Sequence, residues 1–347
     1  MALALAAAAV WLATRPQSTP GDEVVRFTLT LRDGDQLPSE AGMPAVVAIS
    51  PDGTQIAYTA RVAQGTRLFL RQLGGFDSTP VAWSEGGIGP FFSPDGQWLG
   101  FASGGALRVV ALAGGAARTL AEAPNFTGAS WGLDGTIVFS PDYLSGLYTV
   151  PARGGPAEPL TTVNEQSGET AHDTPVVLPD RRAALLAVRL RNAPPEVHVV
   201  DLATGERHTL LEGHTPQYLA SGHLMVANGG TLSVAPFDVE RLQLTGEPIG
   251  ALDGVRESNV VAHFAASHNG TLVYAPAEAG RNRRLVWVTR EGQVEPAIEE
   301  SHRFAHPRIS PDGSRVVVMV VQETGDSEIW MYALNTAART RLPTRVR

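Results

Sequence analysis

A four-residue turn motif recurs along this chain about every 43 residues, and this repeat constrains the fold more than any other feature. Three copies read Ser-Pro-Asp-Gly, and degenerate copies fill the intervals between them. The seven motifs end at Gly53, Gly96, Gly135, Arg181, Gly222, Gly270 and Gly313, with steps of 43, 39, 46, 41, 48 and 43 residues. The motif predicts a tight turn, because proline presets φ, aspartate bonds the turn backbone and glycine adopts the left-handed conformation.

Each motif is flanked by stretches that have the pattern of short strands. An apolar run precedes it, and a β-rich run such as 56–58 (Ile-Ala-Tyr) follows it. A second alternating strand, such as 68–70 (Leu-Phe-Leu), comes about ten residues later and is often followed by Gly-Gly and a shorter strand. Four short antiparallel strands in a repeat of 40–50 residues are typical of a propeller blade. The sequence therefore predicts an all-β chain with the β-propeller fold.

The repeat resembles the WD-like propeller repeat of TolB and its relatives, and the resemblance extends from Glu23 to the C-terminus. It is closest in appearance to the extracytoplasmic propeller of bacterial membrane-anchored serine/threonine protein kinases. The segments that carry this resemblance are 24–31, 84–96 and 139–147. In that family a cytoplasmic kinase, one transmembrane helix and a short linker precede the propeller. This chain contains no kinase domain, so the resemblance transfers no catalytic residue to it.

A propeller must pair its last blade with its first, because an open ring leaves an exposed sheet edge. The segment Val24–Leu31 largely alternates apolar and polar residues, and we expect it to be the outer closing strand of a seven-bladed ring. The alternative is a ring of six closed blades, with the residues beyond about 300 forming a partial blade outside it. In the seven-bladed arrangement the blades begin near Pro44, Gly89, Thr127, Thr174, Thr215, Val261 and Ala305.

Residues 1–14 are almost entirely apolar and predict a short helix that is a truncated transmembrane helix or a signal-like segment. A helix that crosses a bilayer needs about 20 such residues, which suggests that the chain is interrupted at this end. The repeat that is cut short near residue 347 suggests the same of the other end. Residues 15–22 read as a linker, and residues 23–347 as the propeller. We expect the propeller to be membrane-anchored and extracytoplasmic, in the periplasm or outside the cell.

Composition excludes several functional classes. All 27 basic residues are arginine and there is no cysteine. P-loop, kinase and Schiff-base chemistry need a lysine, and disulfides and thiolate metal sites need cysteine. The net charge of −8 argues against a nucleic-acid partner, which would require a basic surface for the phosphates.

Few residues have a pattern that suggests chemistry. We interpret the motif carboxylates as turn residues rather than as an ion site. The structural turn residues are these aspartates and the glycines that follow them: Asp52, Gly53, Asp95, Gly96, Asp134, Gly135, Asp312 and Gly313. Asp180 holds the same place in a degenerate copy of the motif. His263 and His306 hold equivalent places near the start of innermost strands and are the only candidates for a metal site in the pore, since imidazole is a common metal ligand. Ser130 lies in a Gly-x-Ser-x-Gly match, but no helix is expected after it, as a nucleophile elbow requires. We therefore predict no catalytic residue and no cofactor.

These observations favour a non-catalytic sensor or scaffold of the receptor-kinase type. It would bind a protein, a peptide or a small molecule on a propeller face, with the membrane contacted through the N-terminal segment. One alternative is an enzyme, either a lyase with a metal in the pore or the propeller half of a peptidase. Another is a gene fragment without independent function.

Overall fold

The computed structural model describes residues 28–29, 31–32, 35–38, 42–179, 182–258, 261–277, 283–289, 293–302, 304–321, 327–334, 336 and 338–343. The chain divides into a unit of residues 1–33 and a unit of residues 34–347, and all the strands given below belong to the second unit. The predicted apolar helix (1–14), the linker (15–22) and most of the predicted closing strand (24–27 and 30) lie outside the described residues. Within the described part of the chain, no helix has the length and apolar character needed to span a bilayer.

Five sheets of the repeat follow one another along the chain, and each begins with a strand that we call its inner strand. Sheet 1 contains β1 (Val47–Ile49), β2 (Gln55–Val62), β3 (Gly65–Gln72) and β4 (Ser78–Pro80). Sheet 2 contains β5 (Ile88–Phe92), β6 (Trp98–Ser103), β7 (Ala106–Ala111) and β8 (Arg118–Glu122). Sheet 3 contains β9 (Gly128–Trp131), β10 (Thr136–Ser140), β11 (Tyr148–Pro151) and β12 (Glu158–Pro159).

Sheets 4 and 5 continue this order. A single turn of 3-10 helix, Glu165–Ser167, precedes sheet 4 and is capped by the side chain of Asn164. Sheet 4 contains β13 (Glu169–Val177), β14 (Ala183–Leu190), β15 (Glu196–Asp201) and β16 (Arg207–Glu212). Sheet 5 contains β17 (His214–Leu219), β18 (His223–Asn228), β19 (Thr231–Asp238), β20 (Gln243–Leu244) and β21 (Ile249–Leu252).

The end of the chain is organised differently. The sixth repeat (residues 257–302) consists of three two-stranded sheets: β22 (Glu257–Ser258) with β23 (Val261–Ala262), β24 (Phe264–Ala266) with β25 (Leu272–Tyr274), and β26 (Arg283–Val288) with β27 (Val294–His302). The last sheet again has four strands, β28 (Phe304–Ile309), β29 (Arg315–Val321), β30 (Ser327–Ala333) and β31 (Arg339–Leu342). All these strand pairs are antiparallel, so the prediction of an all-β chain is confirmed.

The motif turns connect the first strand of a sheet to the second, as predicted. In sheet 1 the Asp52 carboxylate accepts hydrogen bonds from the Ser50 hydroxyl (2.6 Å) and the Thr54 amide (3.0 Å). Gly53 has a φ of +71°, in the left-handed region that glycine adopts most readily. The turn therefore satisfies its own polar groups, which explains why Ser-Pro-Asp-Gly and related motifs recur at the hairpins.

The inner strands of sheets 1 to 5, together with β24, which we treat as the inner strand of the sixth repeat, contact one another in a cycle. Each inner strand from β1 to β17 contacts the next, β17 contacts β24, and β24 lies against β1. The junction of β24 with β1 carries hydrogen bonds from the Val46 amide to His263 Nδ1 (3.3 Å) and from the Ser258 hydroxyl to the Met43 carbonyl (2.6 Å). At the far end of the same junction, the Asn269 side chain donates to the Asp52 carbonyl (2.8 Å). These contacts place the sixth repeat beside sheet 1, where the seven-bladed arrangement would place the last sheet.

The core lies between neighbouring sheets rather than within any one of them. Phe101 and Leu99 of sheet 2 pack against Leu68 of sheet 1, and all three side chains are fully buried. Equivalent apolar clusters join sheets 2 and 3, sheets 3 and 4, sheets 4 and 5, and sheet 5 with the sixth repeat. Gly100 allows the Phe91 ring to lie directly over the backbone, and an added Cβ there would overlap that ring. Since burying one large apolar side chain contributes ~1.5–3 kcal/mol, this packing holds neighbouring sheets together.

Candidate functional site: the central channel

A channel with a volume of about 290 Å³ runs along the six contiguous inner strands. Its walls are mainly apolar and include four prolines contributed at or just before four different inner strands: Pro44, Pro90, Pro175 and Pro216. Among the described residues that line it, Tyr218 and His268 are the only ionisable side chains. The channel is therefore a concave, mostly uncharged cavity at the centre of the cycle.

Most polar side chains on the channel wall are used to join neighbouring sheets. The Ser130 hydroxyl accepts a hydrogen bond from the Val177 amide (3.0 Å), so the serine of the Gly-x-Ser-x-Gly match connects sheet 3 to sheet 4. The Gln217 side chain accepts from the Ala266 amide (2.7 Å) and connects sheet 5 to the sixth repeat. These bonds give both side chains a structural role.

A buried ion pair lies beside one end of the channel. The Asp173 carboxylate has no exposed surface; it accepts hydrogen bonds from Arg189 Nε (2.6 Å) and the Thr127 hydroxyl (2.7 Å). Arg189 neutralises this carboxylate, and the Thr127 bond connects sheets 3 and 4. The adjacent Thr174 lines the channel.

Thr174 has an unusual backbone. Its φ is +45°, and the equivalent Thr215 and His306 have φ of +48° and +51°. Each of these residues precedes a proline, and positive φ is costly for a β-branched residue. The Thr174 hydroxyl is buried and has no hydrogen-bond partner among the described residues. A recurring X-Pro pair at the start of the inner strands was the available sequence signal for this feature, and our sequence reasoning did not use it.

The two histidines proposed as a pore pair lie in different parts of the fold. His263 is buried next to β24, where its Nδ1 accepts the Val46 amide across the sheet junction. His306 is exposed on β28 of the last sheet, which is not among the sheets whose inner strands form the cycle. Within the described part of the chain, no group of three or more metal-ligating side chains is brought together.

The motif carboxylates lie at separate turns. Asp95, Asp134 and Asp312 each accept the amide of the residue two positions later, at 3.0, 2.9 and 3.1 Å, while Asp180 lies outside the described residues. The glycines that follow them, Gly96, Gly135 and Gly313, have φ of +69°, +82° and +70°. Hydrogen bonds from Ser310 and Ser314 lower the pKa of Asp312 to about 2.

A buried polar cluster that sequence reasoning missed lies in sheet 4 and reaches the loop that follows sheet 3. The Glu169 carboxylate accepts two hydrogen bonds from Arg207 Nη2 (2.5 and 2.6 Å) and lies 3.1 Å from His172 Nε2. Because an ionised carboxylate only accepts, His172 carries its proton on Nε2, and its Nδ1 accepts from the Thr161 hydroxyl (2.7 Å). The cluster brings together residues from separate strands, which explains why no local sequence pattern revealed it.

Burial governs the charges in this cluster. Burial lowers the pKa of His172 and of the neighbouring His198, so both rings are neutral at neutral pH. For Glu169, burial alone would raise the pKa, but hydrogen bonds from Arg207, the Asn164 amide and His172 outweigh it, and the net shift is downward. The cluster thus holds one ionised carboxylate paired with one arginine, and its geometry joins strands rather than opening onto the channel.

Known proteins resemble this chain in structure but not in sequence. No family model matches the chain, and no curated protein sequence matches it. An oligogalacturonate lyase from Vibrio parahaemolyticus superposes with a TM-score of 0.50 over 87% of this chain and 92% of that one, at 12% identity. The chain has the β-propeller fold.

Two further propellers illustrate the range of the similarity. TolB from Acinetobacter baumannii matches with a TM-score of 0.49 and 18% identity, covering 64% of this chain and 56% of TolB. The β-propeller domain of Cps50 (Swd1) from Myceliophteria thermophila matches with a TM-score of 0.47 and 13% identity, over 88% of each chain. The 12% identity to the lyase indicates the fold alone, so function has to be argued from the channel.

Proposed function

We propose that this propeller is a non-catalytic binding module whose ligand site is the central channel. The observation that carries the proposal is the channel lining, in which Tyr218 and His268 are the only ionisable side chains among the described residues. Acid–base and metal-assisted catalysis need several titratable groups that converge on one point. A rigid apolar cavity with a few polar groups is instead typical of ligand binding.

The wider context is part of the same proposal. The chain would serve as the sensor or scaffold part of a membrane-anchored protein of the receptor-kinase type, with the propeller extracytoplasmic and tethered through residues 1–14. We further propose that the ring has six blades and that the last sheet lies outside it. The support for six blades is the hydrogen bonding of the sixth repeat to sheet 1 through His263 and Asn269.

The test compares the full chain with a variant whose channel is filled. Ala45 is half-buried on the channel wall, and Ala45→Trp places an indole there; Ala193→Trp is the matched control on an exposed loop. Saturation-transfer NMR with three probe sets (tripeptides, disaccharides and small aromatic compounds) should give signals that Ala45→Trp loses and Ala193→Trp retains. If no probe set distinguishes the two variants, the channel is not the binding site.

The same proteins test the enzymatic alternative. Purified chain incubated with oligogalacturonate and with chromogenic peptides should leave both unchanged. Turnover that Ala45→Trp abolishes and Ala193→Trp retains would overturn the non-catalytic proposal and assign chemistry to the channel.

A further inference from the structure

We infer that the ligand of the channel is a small, electrically neutral and mostly apolar molecule. This inference rests on the channel being the binding site, as proposed above. It goes further because it selects one chemical class from the peptides, sugars and aromatic compounds that a propeller could bind.

The first argument is that the channel wall has few polar groups to offer. Four prolines contribute no backbone N–H groups to it. The Ser130 hydroxyl oxygen and the Gln217 side-chain oxygen already accept amide hydrogen bonds from neighbouring sheets, and the Thr215 hydroxyl accepts the Ala262 amide (2.9 Å). The Ser130 hydroxyl, the Gln217 NH2 group and the buried Thr174 hydroxyl can still bond a ligand, which is a small set for a wall of this size. A sugar with many hydroxyl groups would lose its bonds to water and find few replacements, and each unpaired polar group costs ~1–3 kcal/mol.

The second argument is electrostatic. A buried charge beside the channel end, the Asp173 carboxylate, is neutralised by Arg189 at 2.6 Å and also accepts a hydrogen bond from Thr127. The Glu169 carboxylate is likewise paired with Arg207. A charged ligand would therefore be desolvated in an apolar cavity without an opposite charge to receive it, which is strongly unfavourable.

The third argument is size. A cavity of about 150 Å³ lined by apolar side chains binds benzene, and this channel has a volume of about 290 Å³. The space fits a compound about the size of two fused rings, and it is too small for a folded segment of a partner protein. The half-buried Trp131 and Tyr218 on the wall provide aromatic surface for such a compound to pack against.

The experiment uses three probes that share one ring system and differ in charge: 2-naphthalenemethanol (neutral), 2-naphthoate (anionic) and 2-naphthylmethylammonium (cationic). Fluorescence titration of the full chain with each probe measures the dissociation constants. We expect the neutral probe to bind at least roughly tenfold more tightly than either ion, because only the ions lose hydration of a full charge. Ala45→Trp should weaken the neutral probe by a similar factor, whereas Ala193→Trp should leave it unchanged.

A second channel variant guards against misfolding of the first. Ala266→Phe fills the wall from β24, and each variant is used only if its circular dichroism spectrum and melting temperature match those of the unmodified chain. If either ion binds as tightly as the neutral probe, or if both filled variants bind the neutral probe normally, the inference is wrong. If all three naphthalene probes fail while a tripeptide or disaccharide still distinguishes Ala45→Trp from Ala193→Trp, the inference fails and the proposed binding function stands.

Discussion

The contact between the sixth repeat and sheet 1 can be tested by removing the side chains that make it. The perturbation is the triple variant Ser258→Ala, His263→Ala and Asn269→Ala, which deletes three hydrogen bonds to the backbone of the first repeat. His263 is 1% exposed and Val46 is fully buried, so His263→Ala leaves the buried Val46 amide without this partner. These three side chains bond to Met43, Val46 and Asp52 in the native ring.

The expected magnitude follows from these bonds. Each bond contributes ~1 kcal/mol net, and a buried amide left without a partner costs ~1–3 kcal/mol, so the triple variant should lower the free energy of unfolding by at least ~3 kcal/mol. The entropy of unfolding is ~2.1 cal/mol/K per residue, or ~0.65 kcal/mol/K for roughly 310 cooperative residues, which converts ~3 kcal/mol into a fall of ~5 °C in melting temperature.

The assay is differential scanning calorimetry of the full chain at neutral pH. The matched control is Ser310→Ala, which removes a hydroxyl from the same kind of turn, but in the last sheet. In a ring closed by the sixth repeat, the triple variant should melt earlier as a whole, whereas the control should leave the main transition within about 1 °C. A triple variant that melts with the unmodified chain would refute the closure described here.

Three further predictions concern single side chains. Arg207→Met should destabilise the chain by ~3–5 kcal/mol, since it leaves the buried Glu169 carboxylate uncompensated. The same change at the exposed Arg191 should have almost no effect on stability. Equal denaturant midpoints for the two variants would contradict this account. Gly100→Ala should cost ~1–3 kcal/mol through overpacking against an aromatic ring, measured by urea unfolding, and an unchanged midpoint would show that the ring can move away. Burial lowers the folded-state pKa of His172, so the unfolded chain takes up a proton first as the pH falls below ~6.5. The free energy of unfolding should therefore decline there by at most ~1.4 kcal/mol per pH unit from this group. In urea unfolding measured across this pH range, His172→Gln should flatten the decline, and an unaltered decline would show that His172 is not its source.

The fold was largely accessible from the sequence because its strongest signals are local. The motif ending at Gly53 fixes a hairpin within four residues through the Asp52 carboxylate and one positive φ, and repetition of that turn identified the propeller. The site was less accessible. The apolar lining arises from side chains on six separate strands, and the pairing of Glu169 with Arg207 spans 38 residues.

By itself, the sequence determined the all-β class, the positions of the hairpins and the turn function of the motif aspartates. Those features depend on φ preferences and on hydrogen bonds between residues two to five positions apart. Only the tertiary structure decided which repeat lies against sheet 1, that His263 bonds to the Val46 amide 217 residues away, and that His263 and His306 belong to different parts of the fold. The physical reason is that ring closure and channel lining depend on how neighbouring sheets pack, and a repeat that is nearly the same in every sheet carries no information about which sheets become neighbours.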